Sequence, residues 1–300
     1  MDKHSPTIEE WPLYRAGSLF GVWSESAAKV PFSYSVVPED FASGLVPNLE
    51  DSESLATDRE QKLLVASIDT EPVGFAHICA GPAEVRGEDI ECGIIRCLAF
   101  VPDFPAVGQL LLESAEDLLS DYGYIDAFPL YHGYSFHNYK VGVLSNRLAH
   151  VRQLFSENGY TPHDAHLTLE RRIGGVTPTP IAAQVNVEKV PTHAERPNIF
   201  VRAFSGDSRI GICRMFSCQA YANLDELASC CYLRWLGVDQ DHRRQGIGYH
   251  LLNRALSEAH EEGYERVILN CRENNIAAVS LYTRVGFRIG DVSSAYVKRL

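Results

Sequence analysis

A turn rich in arginine and glycine carries the clearest chemical signal in the sequence. It follows the apolar segment 231–238 and reads DHRRQGIGY from Asp241 to Tyr249. An amphipathic helix is predicted to start inside this turn, so its first backbone amides would be unpaired at the positive end of the helix dipole. Gly246 and Gly248 leave room for a ligand, and Arg243 and Arg244 add positive charge. The turn predicts an anion site suited to a pyrophosphate.

Two other phosphate-binding motifs do not fit this turn. The sequence has no GxxxxGK[ST] run, and Leu251 stands where GxGxxG would need its third glycine. A downstream segment adds a different signal. Asn275, Ala278 and Tyr282 are three and seven residues apart, which places them along one face of a helix predicted from about Ile276 to Val285.

Together the two segments resemble the GNAT superfamily of acyl-CoA-dependent N-acyltransferases. The matching runs are R-x-x-G-x-G, Arg243 to Gly248, and N-x-x-A-x-x-L-Y…G-F, Asn275 to Phe287. The resemblance is clear over residues 199–300 and degraded over 61–172. It implies an α/β fold of the α+β type, with two GNAT-like modules, each a mixed, mostly antiparallel sheet flanked by helices.

The resemblance also implies a site for acetyl-CoA or another acyl-CoA as cosubstrate. The backbone amides of residues 244–249 would hold the pyrophosphate, and the strand end at 236–238 would run beside the pantetheine arm. The implied cofactor-binding residues are Leu236, Gly237, Val238, Arg243, Arg244, Gln245, Gly246, Ile247, Gly248, Tyr249, Asn275 and Ala278.

Tyr282 is the implied general acid that protonates the departing CoA thiolate. A phenol with a reference pKa near 10 stays protonated at neutral pH and can donate to a thiolate whose conjugate acid has a pKa near 8.5. The general base is left open between a carboxylate and a water relay. Glu226, with Asp225 beside it, is the nearest carboxylate upstream of the strand, and we name Glu226 as the candidate. No covalent nucleophile is required, because the amine can attack the acyl carbon directly.

Internal repetition predicts that the chain is a tandem of two modules. The spacing from Leu111 to Gly123 equals that from Leu251 to Gly263, and a Leu-aromatic pair followed by Gly-aromatic closes both copies. We predict a degenerate module at 1–172, a linker at 173–197 with one strand near 184–190, and a CoA-binding module at 198–300. A tandem of this size resembles mycothiol synthase and its relatives in outline.

The first copy lacks the residues that would bind and process an acyl-CoA. Asp103 aligns with Arg243, Pro105 removes an amide opposite Gln245, and Phe155 stands where Tyr282 stands. The first copy also carries an aromatic insertion, FPLYHGYSFHNY, at 128–139. This insertion is either an apolar cover for the sheet or a wall of the acceptor site.

Composition narrows the range of partners. The net charge of −12 argues against nucleic-acid binding, and there is no apolar run long enough for a membrane helix and no secretory signal. The eight cysteines show no metal-ligand spacing, so we expect reduced thiols, no metal and a cytoplasmic location. The predicted acceptor is a small-molecule amine or a peptide. The alternative is a protein that binds or senses acyl-CoA without catalysis.

Overall fold

The computed structural model describes residues 5–30, 36–45, 59–85, 87–134, 142–174, 181–221 and 224–300. The chain forms two compact units. Unit 1 contains Met1–His166 and Asp291–Leu300, and unit 2 contains Leu167–Gly290. Within the described ranges, no helix is long and apolar enough to span a membrane.

Unit 1 is a mostly antiparallel sheet with helices packed against it. Its strands follow the order β1-β2-β3-β4-β5-β13, β6 pairs with β13, and β4 and β5 run parallel. Its elements are β1 (Thr7–Trp11), α1 (Phe20–Ala27), α2 (Pro38–Leu45), β2 (Arg59–Ile68), β3 (Glu71–Val85), β4 (Glu88–Phe100), α3 (Pro105–Leu118), β5 (Tyr124–Ala127), β6 (Leu144–Ser145), α4 (Ala149–Glu157) and most of β13 (Arg288–Arg299).

Unit 2 has the same type of sheet. Its strand order is β7-β12-β11-β10-β9-β8, in which β11 and β12 run parallel. The elements are the end of β7 (Thr161–Arg172), β8 (Gln184–Val190), β9 (Asn198–Ser205), β10 (Ser208–Ser217), β11 (Cys230–Val238), α5 (Ile247–Glu261), β12 (Arg266–Arg272) and α6 (Ile276–Arg284).

Helix α5 forms where its apolar periodicity predicts it and packs that face into the core. Its buried residues include Leu251, Leu252, Ala255, Leu256 and Ala259, spaced so that they share one face. The helix ends as predicted at Gly263, whose φ of 81° is left-handed. The amide of Tyr264 then donates to the Ala259 carbonyl at 2.9 Å, which pairs one of the last carbonyls of the helix.

The internal repeat extends to an irregularity that the spacing alone did not reveal. Between β3 and β4 the register steps from His77 opposite Cys97 to Ile78 opposite Ile95, which leaves Arg96 as an extra, bulged residue. Between β10 and β11 the register steps in the same way and leaves Arg234 extra. A β-bulge changes the direction in which its side chain points and is a structural feature of the strand, not a defect. Both copies therefore bend the same strand at an arginine.

The compact units differ from the predicted module boundaries at their ends. The predicted strand near 184–190 is present as β8, which pairs along its length with β9, so this part of the predicted linker belongs to the sheet of unit 2. Strand β13, at the end of the chain, pairs with β5, with Tyr296 opposite Ala127. The last strand of the chain therefore completes the unit formed by its first residues.

Candidate functional site

Strand β11 leaves one edge open beyond its bulge. Its parallel pairing with β12 covers only Cys230–Tyr232, whereas its antiparallel pairing with β10 continues to Val238. The backbone groups of the second half of β11 that face away from β10 therefore have no neighbouring strand among the described pairs. Leu236, Gly237 and Val238 lie in this half, as the prediction for the pantetheine arm requires.

The turn after β11 is closed by its own arginine. The guanidinium of Arg243 donates from Nε to the Val238 carbonyl at 2.9 Å, and the Arg243 amide donates to the Gln240 carbonyl. Arg244 and Gly246 then have φ values of 64° and 81°. Left-handed backbone at these positions turns the chain sharply into α5, and Gly246 adopts it without the steric cost of a Cβ.

The start of α5 presents a run of unpaired amides. Gly246 is the N-cap and supplies no side chain, and the first amide that donates within this turn is that of His250, to the Gly246 carbonyl. None of the six amides from Arg244 to Tyr249 donates a hydrogen bond to a described residue. Six successive donors at the positive end of a helix dipole suit a diphosphate group.

Gly248 faces the end of β11 and helix α6, and its counterpart in unit 1, Gly108, faces the end of β4. A Cβ at Gly248 would lie 3.6 Å from Val238 Cγ2, which is ordinary packing. A Cβ at Gly108 would lie 2.6 Å from Phe100, because that ring packs directly on the Gly108 backbone. The end of β4 is therefore packed more tightly against the start of α3 than the end of β11 is against the start of α5.

Helix α6 carries the predicted general acid. Tyr282 is the one buried residue of α6; its ring packs beside Phe287, and no described residue shares a hydrogen bond with its hydroxyl. Burial raises the pKa of Tyr282 above its usual value, with smaller contributions from the neighbouring Cys213 and Cys271 thiols. The phenol is therefore protonated over the whole physiological pH range. Its counterpart, Phe155, is fully buried among the aromatic residues of unit 1.

Asn275 and Ala278 are linked by a helix cap. Asn275 is the N-cap of α6, and its side-chain oxygen accepts a hydrogen bond from the Ala278 amide at 3.2 Å. The cap pairs one of the first amides of α6 and leaves the side-chain NH2 of Asn275 exposed to solvent. The pattern that resembled a cofactor contact therefore also has a local structural role.

Glu226, the predicted general base, precedes β11 and is separated along the chain from the bulge at Arg234. Glu226 is exposed in a 3-10 helix, Asp225–Leu227, which comes before the start of β11, whereas the turn rich in arginine and glycine follows the end of β11. The strand between them has nine residues. Asp225 lies in the same short helix and is also exposed.

A group of polar residues near the place where β11 and β12 stop pairing was not identified from the sequence. Asn270 donates to the Tyr232 hydroxyl at 3.3 Å and accepts from the Thr168 hydroxyl at 2.6 Å. The bulged Arg234 and the 58% exposed Trp235 follow on β11. A comparison of the two repeats could have found the bulge, because an arginine precedes x-Leu at the same place in both copies.

The cysteines, the possible metal ligands and the aromatic insertion can also be compared with the structure. All eight cysteines are buried and none forms a disulfide, although Cys218 and Cys230 have their sulfur atoms only 3.3 Å apart. In the ranges that the structure describes, no three His, Cys, Asp or Glu residues are placed to hold a metal. Residues 128–134 of the aromatic insertion are described and belong to unit 1, and residues 135–139 lie outside the described residues.

Comparison with known proteins supports the same interpretation of the C-terminal part. Residues 174–287, less than half of the chain, match the model of the acetyltransferase (GNAT) family. The chain is 38% identical over 69 residues to N-acetyltransferase family 8 member 3 of Rattus norvegicus, which is 23% of this chain and 30% of the relative. It is 34% identical over 61 residues to the [ribosomal protein bS18]-alanine N-acetyltransferase of Escherichia coli K12, which is 20% of this chain and 41% of the relative. The chain thus spans less than half the length of these relatives.

A solved structure extends the similarity in fold to nearly the whole chain. A tandem GNAT protein from the clavulanic acid biosynthesis pathway superposes with a TM-score of 0.63 over 98% of both chains, at 12% sequence identity. An identity this low shows the fold alone. The predicted fold class is confirmed: a mixed α/β protein with mostly antiparallel sheets, flanked by helices and similar to tandem GNAT structures.

Proposed function

We propose that this protein transfers an acetyl group from acetyl-CoA to an amine, and that unit 2 binds the acetyl-CoA. The observation that carries the proposal is the run of six unpaired amides at the start of α5, next to the open half of β11. An isolated helix start is common, but here it coincides with the family match over residues 174–287. The buried Tyr282 on the following helix adds a proton donor.

The residues of the turn fit the anionic end of the cosubstrate. The amides of residues 244–249 would bind the pyrophosphate, and the side chain of Arg244 adds a positive charge. The unpaired edge of β11 at Leu236–Val238 would bind the pantetheine amides in the manner of an added strand. Bound acetyl-CoA supplies the acetyl thioester, and the chain supplies its orientation and the exclusion of water.

Two proton transfers complete the reaction. A neutral amine attacks the thioester carbon, the new C–N bond forms, and the C–S bond breaks with its electron pair remaining on sulfur. Tyr282 then donates its proton to the thiolate and recovers one from solvent. The attacking nitrogen loses a proton to a base, and Glu226, which sits before the strand, and a water relay remain the two candidates for that role.

The acceptor is proposed only as a class. The Escherichia coli relative acts on an alanine of a ribosomal protein, and a peptide amine or a small-molecule amine is the acceptor we infer here. The likeness to mycothiol synthase stays a prediction. The eight reduced thiols support the predicted cytoplasmic location, where disulfides are rare.

The proposal is tested by following thiol release. The full chain is incubated with acetyl-CoA and a panel of amines and peptide N-termini, and free CoA is measured with a thiol reagent while mass spectrometry detects the acetylated amine. We expect thiol release that depends on one class of amine and that Tyr282→Phe suppresses. Binding of acetyl-CoA without amine-dependent release from any acceptor would favour the alternative, a non-enzymatic acyl-CoA-binding protein.

A further inference from the structure

Two arginine side chains of unit 2 lie beside the first turn of α5 without an anionic partner among the described residues. Arg171 is near the end of β7, and Arg284 is the last residue of α6. The guanidinium of Arg284 lies 5.1 Å from the centre of the Tyr249 ring, and the charge of Arg171 also interacts with Tyr249. Neither guanidinium donates a hydrogen bond to a described residue or forms an ion pair with one.

The two arginines lie next to the proposed pyrophosphate site. Tyr249 supplies the last of the six unpaired amides at the start of α5. A Cβ at Gly248 would lie 3.7 Å from Leu281, so the second half of α6, which ends in Arg284, runs against this first turn of α5. A group attached close to a bound pyrophosphate would therefore reach the Tyr249 ring and the arginines around it.

Arg171 is half-buried although its charge is unpaired. Its Nε lies beside the turn that follows α6, 3.9 Å from where a Cβ would stand on Gly286. Burial lowers the pKa of Arg171 and Tyr249 opposes that shift, but a guanidinium stays charged throughout the physiological pH range. A partly desolvated charge without a counter-ion is unfavourable, and a bound anion would offset this cost.

The local structure is complete without either guanidinium. The amides of residues 285–287 already donate to the carbonyls of residues 281–283 at 3.0–3.1 Å, so the end of α6 does not need an arginine to pair its last carbonyls. Arg196 shows the contrasting case in the same unit, because its guanidinium donates to the carbonyls of Glu262 and Ala228. Arg196 has a structural role, whereas Arg171 and Arg284 are left for a ligand.

A phosphate monoester is the anion that suits this pair of arginines. It carries almost two negative charges at neutral pH and has three acceptor oxygens, and guanidinium groups bind such oxygens with paired hydrogen bonds. The proposed cosubstrate contains one at the required place, since the ribose joined to the pyrophosphate of CoA bears a 3′-phosphate. One sugar ring thus separates the group held by the α5 amides from a second anionic group.

We propose that Arg171 and Arg284, together with the Tyr249 ring, form a second anion subsite that binds the 3′-phosphate of the CoA nucleotide. The inference rests on the proposed function and specifies its cosubstrate more narrowly. The protein selects CoA thioesters over those of 3′-dephospho-CoA, which has the same pyrophosphate and the same pantetheine arm. The turn at the start of α5 and the edge of β11 cannot make this distinction, because they face parts that the two molecules share.

Calorimetry with the full chain tests the subsite, with CoA and 3′-dephospho-CoA as the two probes. We expect the wild-type protein to bind CoA about tenfold more tightly than 3′-dephospho-CoA. Arg171→Gln and Arg284→Gln should each weaken CoA binding by about threefold to fivefold and leave the affinity for 3′-dephospho-CoA within about twofold of wild type. The double variant should bind the two probes equally well.

The neighbouring arginine on β7 provides a matched control. Arg172 is exposed and follows Arg171 directly, so its side chain points to the opposite face of the sheet. Arg172→Gln removes the same charge from the same strand and should keep the preference for CoA. Binding of 3′-dephospho-CoA reports folding in every variant, because it needs the turn at the start of α5 but neither Arg171 nor Arg284.

Equal affinity of the wild-type protein for the two probes would overturn the subsite and leave the proposed acetyl transfer in place. A preference for CoA that persists in the double variant would also overturn it, because other residues would then read the 3′-phosphate. Loss of the preference in Arg172→Gln would show an effect of overall charge and not of a built subsite. If the wild-type protein binds neither probe, the proposed function fails together with the subsite.

Discussion

Gly246 lies at the proposed pyrophosphate turn in a backbone conformation that glycine adopts without strain. It has φ of 81° and nothing within 4 Å of a Cβ position, so its face is open to a ligand. Gly159, at the end of α4 in unit 1, has φ of 82° and is equally open. A side chain at either position pays the same left-handed penalty of about 1–2 kcal/mol. The pair therefore separates backbone strain from ligand binding.

We expect Gly246→Glu to weaken acetyl-CoA binding by about 100-fold, because a carboxylate would face the phosphate donors. Gly159→Glu should leave the affinity for acetyl-CoA within about twofold of wild type. It should lower the urea midpoint by about as much as Gly246→Glu does. Calorimetry with acetyl-CoA and urea denaturation measure the two effects. An equal loss of affinity in both variants would show that strain, and not the anion site, is responsible. Gly108→Glu is unsuitable as a control, since its side chain would collide with Phe100.

Tyr282 is expected to act on turnover and not on binding. Removing its hydroxyl in Tyr282→Phe leaves the packing against Phe287 in place and removes the proton donor. We expect kcat to fall by roughly 10²–10⁴-fold while the Kd of acetyl-CoA changes little. Steady-state kinetics and calorimetry on the same preparation make the comparison. An unchanged kcat would assign Tyr282 to packing alone.

At the scale of the element, the start of α6 has two roles that two substitutions can separate. The oxygen of the Asn275 side chain caps the helix, and we propose that its NH2 group contacts the cosubstrate. Asn275→Asp keeps the cap and should leave the unfolding midpoint unchanged, but it should weaken acetyl-CoA binding by about fivefold to tenfold. Asn275→Ala should in addition cost about 1 kcal/mol of stability.

Urea denaturation and calorimetry again provide the two measurements for Asn275. If Asn275→Asp binds acetyl-CoA as tightly as wild type, the side chain serves the helix only. The predicted cofactor contact would then be wrong at this residue, although the helix that it caps would still carry Tyr282.

Strand β5 holds a buried carboxyl group whose ionisation opposes folding. Asp126 is 1% exposed; one oxygen lies 2.9 Å from His163 Nε2, and the other has no partner among the described residues. Burial raises the pKa of Asp126, and the hydrogen bond from His163 opposes that shift only in part. The folded protein therefore retains this proton to a higher pH than the unfolded chain does.

The sign of the resulting pH dependence follows from the linkage between protonation and folding. Stability from this group is greatest below the unfolded Asp pKa, near 4, and decreases as the pH rises through the raised folded value. Asn cannot ionise, so Asp126→Asn should gain stability over wild type as the pH increases from about 4 to about 7. Urea midpoints across this range measure the difference, with Asp121→Asn at an exposed position as the control. A difference that is constant with pH would contradict the assignment.

At the scale of the whole molecule, the two units share an order of strands and helices but differ in the residues at the start of the helix after the bulged strand. Unit 2 has glycine at 246 and an open edge on β11, whereas in unit 1 alanine stands at 106 and the Phe100 ring packs against Gly108. The bulged arginine is common to both, but Arg234 is exposed and Arg96 is buried.

The whole chain is therefore expected to bind one acetyl-CoA. Titration of the wild-type protein by calorimetry should give a stoichiometry of one site per chain, and Gly246→Glu should remove the measurable heat. A stoichiometry of two would mean that the first copy also holds a pyrophosphate.

The sequence by itself determined the features that depend on neighbours along the chain. Helix α5, its end at Gly263 and the Asn275–Tyr282 face follow from spacing, because a helix brings together residues three and four apart. The anion turn followed from glycine and arginine types alone, and the family resemblance added the expected cosubstrate and fold. That the first copy does not bind a pyrophosphate stays a prediction, based on Asp103 and Pro105.

Only the tertiary structure decided the features that depend on residues far apart in the chain. Strand register, and with it the bulges at Arg96 and Arg234, is set by pairing with another strand, so no local pattern specifies it. The partner of β13 is also set by tertiary structure. Its alternating apolar residues are compatible with pairing to several strands, and in the structure β13 pairs with β5. The Phe100 ring on Gly108 is a product of packing, which responds to volumes contributed by separate elements.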